Sequence, residues 1–459
     1  MSTHVKILIT AAVLLALLLG VTAGGYFWHR SAHVKVDGVI YDRNTEYLDL
    51  RGQDISMERY QHLREAFPDC RIAWDVPFQN AAYANDITEM TVTSISGEDI
   101  DQLQYFENLQ KVDATGCRDL QMVKRLQEAY PRCDVDYTVE IDGLTLARDT
   151  ESLKFSEGRG DFDQLMENLQ YLPQMKTLYF DEPSLLPEQL TALMEQYPEI
   201  HMSWDKTVFG KKMPSDTKEL DISGKKFTSI QEVERQAGYL TGLKKLTMCD
   251  TGLPYDEIAG FRERVRGKCK VIFNVKIGQM TVRTDETWFM PTKFHKDVKD
   301  KDAQNLKYCE DMICIDLGHN VMKNLEWVKG TPHLKYLIVA DGPLQDVTPI
   351  GTLKELKFLE LFMTDIRDIT PLLGCTALED LNLARIPADV KPIAKMTWLK
   401  NLWISGGRVP KEDVEYLQKH LPHTHIDAAM HHNCTGRGWR QSQNYIDMRN
   451  MVGMPIFAE

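Results

Sequence analysis

The sequence predicts an α/β solenoid, in which short coils stack with a parallel sheet on one side and helices and loops on the other, preceded by a transmembrane helix. Two observations lead to this prediction. Apolar residues recur at a period of about 22 in the C-terminal half, and a run of 22 uncharged residues lies near the N-terminus. A repeat this short cannot bury its own apolar side chains, so neighbouring repeats must stack.

The uncharged run comprises residues 7–28 and follows Lys6. Its length spans the hydrocarbon layer of roughly 30 Å at about 1.5 Å per residue. It ends in Tyr26, Phe27 and Trp28, and aromatic residues favour a membrane interface. We therefore predict that residues 1–33 are a cytoplasmic tip and single-pass anchor in the cell membrane, with the body extracytoplasmic. A cleaved signal peptide is the alternative, because residues 21–23 (Val-Thr-Ala) fit a small-residue cleavage site.

The C-terminal half repeats a sequence motif of the type L-x-x-L-x-L, which is typical of a short strand. The motif starts at Met312, Leu334, Leu356, Leu378 and Leu399, so successive copies are 22, 22, 22 and 21 residues apart. Three of the segments that follow carry D-[IV]-x-P-[IL], beginning at Asp346, Asp368 and Asp389. Such a strand buries its apolar side chains only against the next coil. Residues 312–433 are predicted to form a regular solenoid.

The N-terminal half has a longer period. Hairpin turns, each leading to a strand, are predicted near Gly38, Asn80, Gly143, Gly210 and Gly278. Helices with apolar residues at helical spacing fill the returns. We predict irregular repeat modules with hairpins over residues 34–289, then a charged linker or short helix over residues 290–311.

Residues 434–459 are predicted to be a cap or tail. They contain a candidate helix with Tyr445, Met448 and Val452 on one face. Because the terminal coil of a solenoid must be covered, a cap is the favoured interpretation and a docking peptide the alternative.

Residues 312–404 resemble leucine-rich repeats, and the D-[IV]-x-P-[IL] return is similar to that of the internalin-type repeats of bacterial surface proteins. Residues 34–289 resemble irregular leucine-rich-repeat proteins of anaerobic Gram-positive bacteria. Where the leucine-rich-repeat family has Asn or Cys at the ninth position of a coil, the coils that begin within residues 312–404 have Asn320 once, and otherwise Gly342, Thr364, Ile386 and Gly407. The resemblance implies a binding scaffold at the cell surface.

Composition narrows the possible partners. The formal charge is -13 and no Lys/Arg-rich run occurs, which disfavours nucleic acid because phosphate binding needs concentrated positive charge. The nine cysteines include no C-x-x-C pair, and we interpret those that recur in the repeats as small buried apolar residues rather than crosslinks. No hydrolase, metalloprotease, P-loop or dinucleotide motif occurs. We predict a protein that is not an enzyme and needs no cofactor.

The best candidate for a metal site is a histidine cluster near the end of the chain, formed by His423, His425, His431, His432 and Cys434. Alternate residues of a strand point to one face, so His423 and His425 would converge there. A polar rim beside the last coil is the favoured interpretation. The many carboxylates are likewise interpreted as a solvated surface, not as the acid/base pair of a glycosidase.

Positions three, five and seven of each coil face outward on the sheet side, and there they form an apolar cluster flanked by polar groups. The apolar members are Tyr336, Ile338, Phe358, Phe362 and Trp403, and the polar ones Glu360, Asp380 and Asn382. Exposed aromatic patches mark binding sites, so we predict that this face binds a protein or glycan partner. Alternatively these side chains pack on one another or lie beneath the N-terminal half. An envelope enzyme and a self-assembling structural protein are the rival functions.

Overall fold

The computed structural model describes residues 32–294, 297–406, 408–429 and 438–455. The chain divides into two compact units, residues 1–204 and 205–459. The predicted membrane anchor, residues 7–28, lies outside the described residues. Across the ranges that are described, no helix has the length and apolar character needed to cross a bilayer.

The first unit alternates hairpins, short parallel strands and helices. Its elements are β1 (His33–Val36), β2 (Val39–Asp42), β3 (Tyr47–Asp49), α1 (Met57–Ala66), β4 (Arg71–Ala73), β5 (Asp75–Phe78), β6 (Ala81–Ala84), β7 (Glu89–Thr91), α2 (Gly97–Gln102), β8 (Lys111–Asp113), α3 (Leu120–Ala129), β9 (Asp134–Asp136), β10 (Thr138–Ile141), β11 (Leu144–Ala147), β12 (Ser152–Phe155), α4 (Phe162–Asn168), β13 (Thr177–Asp181) and α5 (Pro187–Gln196). Strand β14 (His201–Val208) crosses the boundary between the units. Parallel pairing joins β3 to β4, β7 to β8, β8 to β9, and β12 to β13.

The second unit begins with the same pattern and continues as a regular solenoid. Its elements are β15 (Lys211–Pro214), β16 (Glu219–Asp221), α6 (Ile230–Gly238), β17 (Lys245–Thr247), α7 (Tyr255–Arg264), β18 (Lys270–Ile272), β19 (Asn274–Ile277), β20 (Met280–Arg283), β21 (Trp288–Phe289), α8 (Asp300–Ala303), β22 (Cys314–Asp316), β23 (Tyr336–Ile338), β24 (Phe358–Glu360), β25 (Asp380–Asn382), β26 (Asn401–Trp403), α9 (Lys411–His420), β27 (His425–Asp427) and α10 (Gln443–Met451). Strands β21 to β27 form one seven-stranded sheet in chain order.

The predicted hairpins are present at all five places: β1–β2, β5–β6, β10–β11, β14–β15 and β19–β20 pair antiparallel. Their turns explain the repeated Asp-Gly. Asp142 and Gly143 have φ of 50° and 71°, and Asp37 and Gly38 have φ of 47° and 87°. A type I′ turn needs positive φ at both central residues, which Asp tolerates and Gly adopts freely.

The regular coils stack in phase. Leu359 of β24 pairs with Leu337 on one side and Leu381 on the other. Because the register advances by one whole coil at each step, equivalent leucines lie in columns, and these three are fully buried. The predicted leucine-rich-repeat type of solenoid is confirmed for this part of the chain.

The repeated aspartate and proline of the returns have distinct structural roles. The side chain of Asp346 accepts a hydrogen bond from the backbone N–H of Thr348 at 2.8 Å, and Asp368 does the same for Thr370 at 2.9 Å. These Asx turns lead into the 3₁₀ helices Thr348–Thr352 and Thr370–Gly374, which carry proline in the first turn. Proline suits that position because the first N–H groups of a helix have no internal partner.

The described residues of the charged segment 290–311, predicted as a linker or short helix, form the return of another coil. Trp288 of β21 pairs in parallel with Cys314 of β22, so the strands on both sides of the segment belong to one sheet. The return contains α8 and the 3₁₀ helix Gln304–Tyr308, and Leu306 is fully buried. The sequence pattern concealed this coil, because the positions equivalent to Met312, Ile315 and Leu317 hold Glu286, Phe289 and Pro291.

Replacing Leu359 by Ala should lower the free energy of unfolding by about 2–5 kcal/mol, since the side chain is fully buried between two coils. Urea denaturation followed by circular dichroism measures this loss. Val321→Ala is the control, because Val321 is 57% exposed and its truncation should change stability by about 0.5 kcal/mol or less. Equal losses in both variants would contradict the described packing of the coils.

Candidate functional site

The strand face is the outward side of β22 to β26, formed by positions three, five and seven of each coil. The in-phase register brings together all eight residues predicted for partner binding. Seven of them lie on β23 to β26, and Phe362 follows β24: Tyr336, Ile338, Phe358, Glu360, Phe362, Asp380, Asn382 and Trp403.

This face is not open to solvent, in contrast to the exposed cluster that the sequence predicts. Phe358 is 0% exposed, Trp403 4% and Tyr336 7%. Ile338, Glu360, Asp380 and Asn382 are also buried, and Phe362 is half-buried. The prediction of exposure is corrected here, because the chain itself covers the face. Partner binding by these residues stays a prediction.

The cover is the segment of residues 438–455, called the covering segment below. It consists of the 3₁₀ helix Trp439–Gln441 followed by α10. Tyr445 lies with its ring centroid 5.8 Å from that of Phe358, and Trp439 lies 5.5 Å from Phe362. Within the second unit, the cover therefore comes from a later part of the same chain.

Local sequence explains why the covering segment is helical. Ser442 caps α10, its hydroxyl accepting from the backbone N–H of Tyr445 at 3.3 Å, as is typical of N-cap serine. Tyr445, Met448 and Val452 share one face and are buried with the strand-face aromatics. The predicted helix is therefore confirmed. It lies on the strand face, whereas a cap would lie on the terminal coil.

Polar contacts fix the register of this helix on the sheet. The Asn444 side-chain amide donates to Glu379 Oε2 at 3.0 Å and to Asp380 Oδ2 at 3.1 Å. Asn401 donates to the other oxygen of Asp380 at 2.7 Å. Lys293 donates through Nζ to the carbonyl oxygen of Val452. Asp380 is 1% exposed, so these donors replace the water that its carboxylate would otherwise bind.

Two acidic residues of the strand face, Asp316 and Glu360, lie two coils apart beneath the covering segment. Burial and the neighbouring Asp316 raise the pKa of Glu360 to about 8, although the charge on Arg440 and a hydrogen bond from Trp439 act to lower it. Burial also raises the pKa of Asp316. A hydrogen bond from the backbone N–H of Gly318 and the charges on Arg449, His319 and Arg440 oppose this shift but are weaker. The covering segment thus supplies arginines near both acids.

A cavity of about 230 Å³ remains where these groups meet. Its acidic lining comes from Asp316, Asp341 and Glu360 of the coils, and its basic lining includes Arg440 and Arg449 of the covering segment. Asp341 Oδ2 also lies 2.7 Å from Nδ1 of His319. The arrangement offers polar recognition and a mixed charge lining, without a motif for covalent catalysis.

The histidine cluster is only partly described. His425 lies on β27, and both it and His423 are exposed. His431, His432 and Cys434 lie outside the described residues. Within the ranges that the structure covers, no group of three or more His, Cys, Asp or Glu side chains is placed to hold a metal ion.

Sequence reasoning missed several residues of the site. It did not assign Asn444, Arg440, Arg449 or Trp439 to the strand face, and it did not include Asp316 among the binding residues. The available signal was the helical spacing of apolar residues 445, 448 and 452, which indicates a helix that needs an apolar surface to cover. That pattern does not identify which surface.

Asn444→Ala should weaken the attachment of the covering segment and lower the free energy of unfolding by about 1–3 kcal/mol, because the buried carboxylate of Asp380 loses a donor. Chemical denaturation measures the change. Asn450→Ala is a matched control, since Asn450 is exposed on the same helix. If the two variants lose equal stability, the contact between Asn444 and the acids is not what holds the helix.

Stability of the second unit should fall as pH rises. The pKa of Glu360 is about 8 when buried and 4.5 ordinarily, so its contribution is complete below about pH 4.5 and is lost as pH rises through about 8. Between these values each pH unit costs about 1.4 kcal/mol. Denaturation midpoints at several pH values measure the slope. Glu360→Gln should flatten it, whereas Glu412→Gln, at an exposed glutamate, should not; an unchanged slope in Glu360→Gln would contradict the assignment.

Comparison with known proteins finds similarity only to solved structures, among them leucine-rich-repeat proteins. No family model and no curated protein matches it. It is similar to the solved structure of an internalin of Listeria monocytogenes, at 15% identity and a TM-score of 0.29, covering 77% of this chain and 90% of that one. It is also similar to a leucine-rich-repeat protein of Leptospira interrogans, at 15% identity and a TM-score of 0.28, covering 73% and 93%. The coil geometry itself carries the fold assignment.

Proposed function

We propose that this protein is a membrane-anchored binding scaffold that uses its strand face to hold a protein partner outside the cytoplasm. The observation that carries the proposal is the occupancy of that face by a helix. The face provides aromatic rings for apolar anchors and carboxylates for polar ones, and α10 occupies both. Buried aromatic anchors surrounded by polar groups are the usual basis of protein recognition.

The shape of the occupant favours a protein over a glycan as the partner. Helix α10 lies with one apolar side on the strand face and places Asn444 against Asp380. An amphipathic helix in a groove is a common mode of peptide recognition. Phe358 and Trp403 of the strand face belong to one buried cluster with Tyr445 and Met448 of this helix.

The anchor and the orientation are part of the proposal and rest on residues 7–28. An uncharged run of 22 residues is long enough to cross a bilayer. Alkaline extraction of membranes should leave the chain in the pellet, and protease added outside the cytoplasmic membrane should digest its body. Release into the soluble fraction of a chain shortened at its N-terminus would instead support the cleaved signal peptide.

Binding is tested by affinity capture with the full chain from its native envelope, comparing the wild type with a variant carrying Phe358→Ala and Trp403→Ala. The double variant should lose at least tenfold of the captured partner, because the aromatic anchors are removed. Trp398→Ala is the control, since Trp398 is an exposed tryptophan outside the strand face. Circular dichroism verifies that each variant is folded. Equal capture by the double variant would overturn the site, and self-association alone would support a structural assembly protein.

A further inference from the structure

The covering segment is attached to the strand face by side chains and not by extension of the sheet. Its described backbone-to-backbone hydrogen bonds join residues of the segment to one another. Examples are the bond from Val452 N–H to Met448 C=O at 3.2 Å and the bond from Met454 N–H to Arg449 C=O at 2.9 Å. The ladder from β21 to β27 is continuous without it. The segment can therefore leave without breaking the pairing between coils.

The side chains of the covering segment match the strand face in position and in chemistry. Aromatic rings meet aromatic rings, as Tyr445 meets Phe358. An amide donor meets carboxylates at Asn444. Arg440 and Arg449 line the same cavity as Asp316 and Glu360. Apolar, hydrogen-bonding and charged features are thus each complemented by one short stretch of chain.

Departure of the segment would expose a patch that is unusual for a free surface. Phe358, Trp403 and Tyr336 would face water together, next to the carboxyl groups of Asp316 and Glu360. A contiguous aromatic patch of this kind needs an occupant. An occupant from another protein must therefore offer the same features as residues 438–455 in order to compete with them.

We propose that the covering segment occupies the binding site of the partner and is displaced when the partner binds. The partner then presents an amphipathic helix of the same chemistry. That helix carries aromatic and aliphatic side chains on one face, an amide group near its start and arginines directed at the acids. This inference rests on the proposed function. The segment sets the threshold for binding, because a partner binds only to the fraction of molecules whose face is open.

The probe is a fluorescent synthetic peptide of residues 438–455, added to the full chain and to a chain that ends at residue 437. The shortened chain should bind the peptide at least tenfold more tightly than the full chain, since its face has no competitor. A peptide with Asn444→Ala should bind at least fivefold more weakly than one with Asn450→Ala. Equal affinity for the two chains, or a folded shortened chain that binds no peptide, would overturn the inference.

If the shortened chain does not fold, a full chain with a protease site inserted between Ala429 and Gly438 replaces it. The chain is cut after folding, and the labelled peptide is then added in excess. Exchange of the peptide for the cut segment supports a displaceable occupant, whereas failure to exchange shows a permanent part of the core. Both measurements omit the partner, so their failure is distinct from failure of the capture experiment, which tests the proposed function.

Discussion

The in-phase pairing of three-residue strands is the constraint on which the rest of this structure depends. A strand as short as Phe358–Glu360 has no stability of its own, and its leucine is buried only because Leu337 and Leu381 lie beside it. The same register that stacks the leucines on one side of the sheet stacks positions three, five and seven on the other. The strand face is therefore a direct consequence of how the core is built.

Much of this architecture could be predicted from the sequence, because it is local or periodic. The spacing of Leu334, Leu337 and Val339 repeats in the next coil, and Asp-Gly identifies a turn within a few residues. The coil between β21 and β22 escaped detection for the same reason, since Glu286 and Pro291 occupy two of its three core positions. Periodicity reveals coils that keep the pattern and conceals those that depart from it.

The covering segment could not be placed from the sequence for a different physical reason. Its contact with the sheet joins Asn444 to Asp380 across 64 residues, and nothing in the spacing of either residue specifies the other. The amphipathic pattern of α10 requires an apolar surface but is satisfied by any surface of suitable shape. The burial of Glu360 could not be predicted from the sequence either, because a glutamate in an outward position ordinarily faces water.

Order of synthesis gives the covering segment a further consequence. Strands β21 to β27 precede residues 438–455 in the chain, so they emerge from the ribosome before the segment that covers them. Until the covering segment has emerged, the aromatic side of the nascent solenoid is exposed to solvent. Any factor that accompanies the growing chain meets the strand face first, and the helix closes over it afterwards.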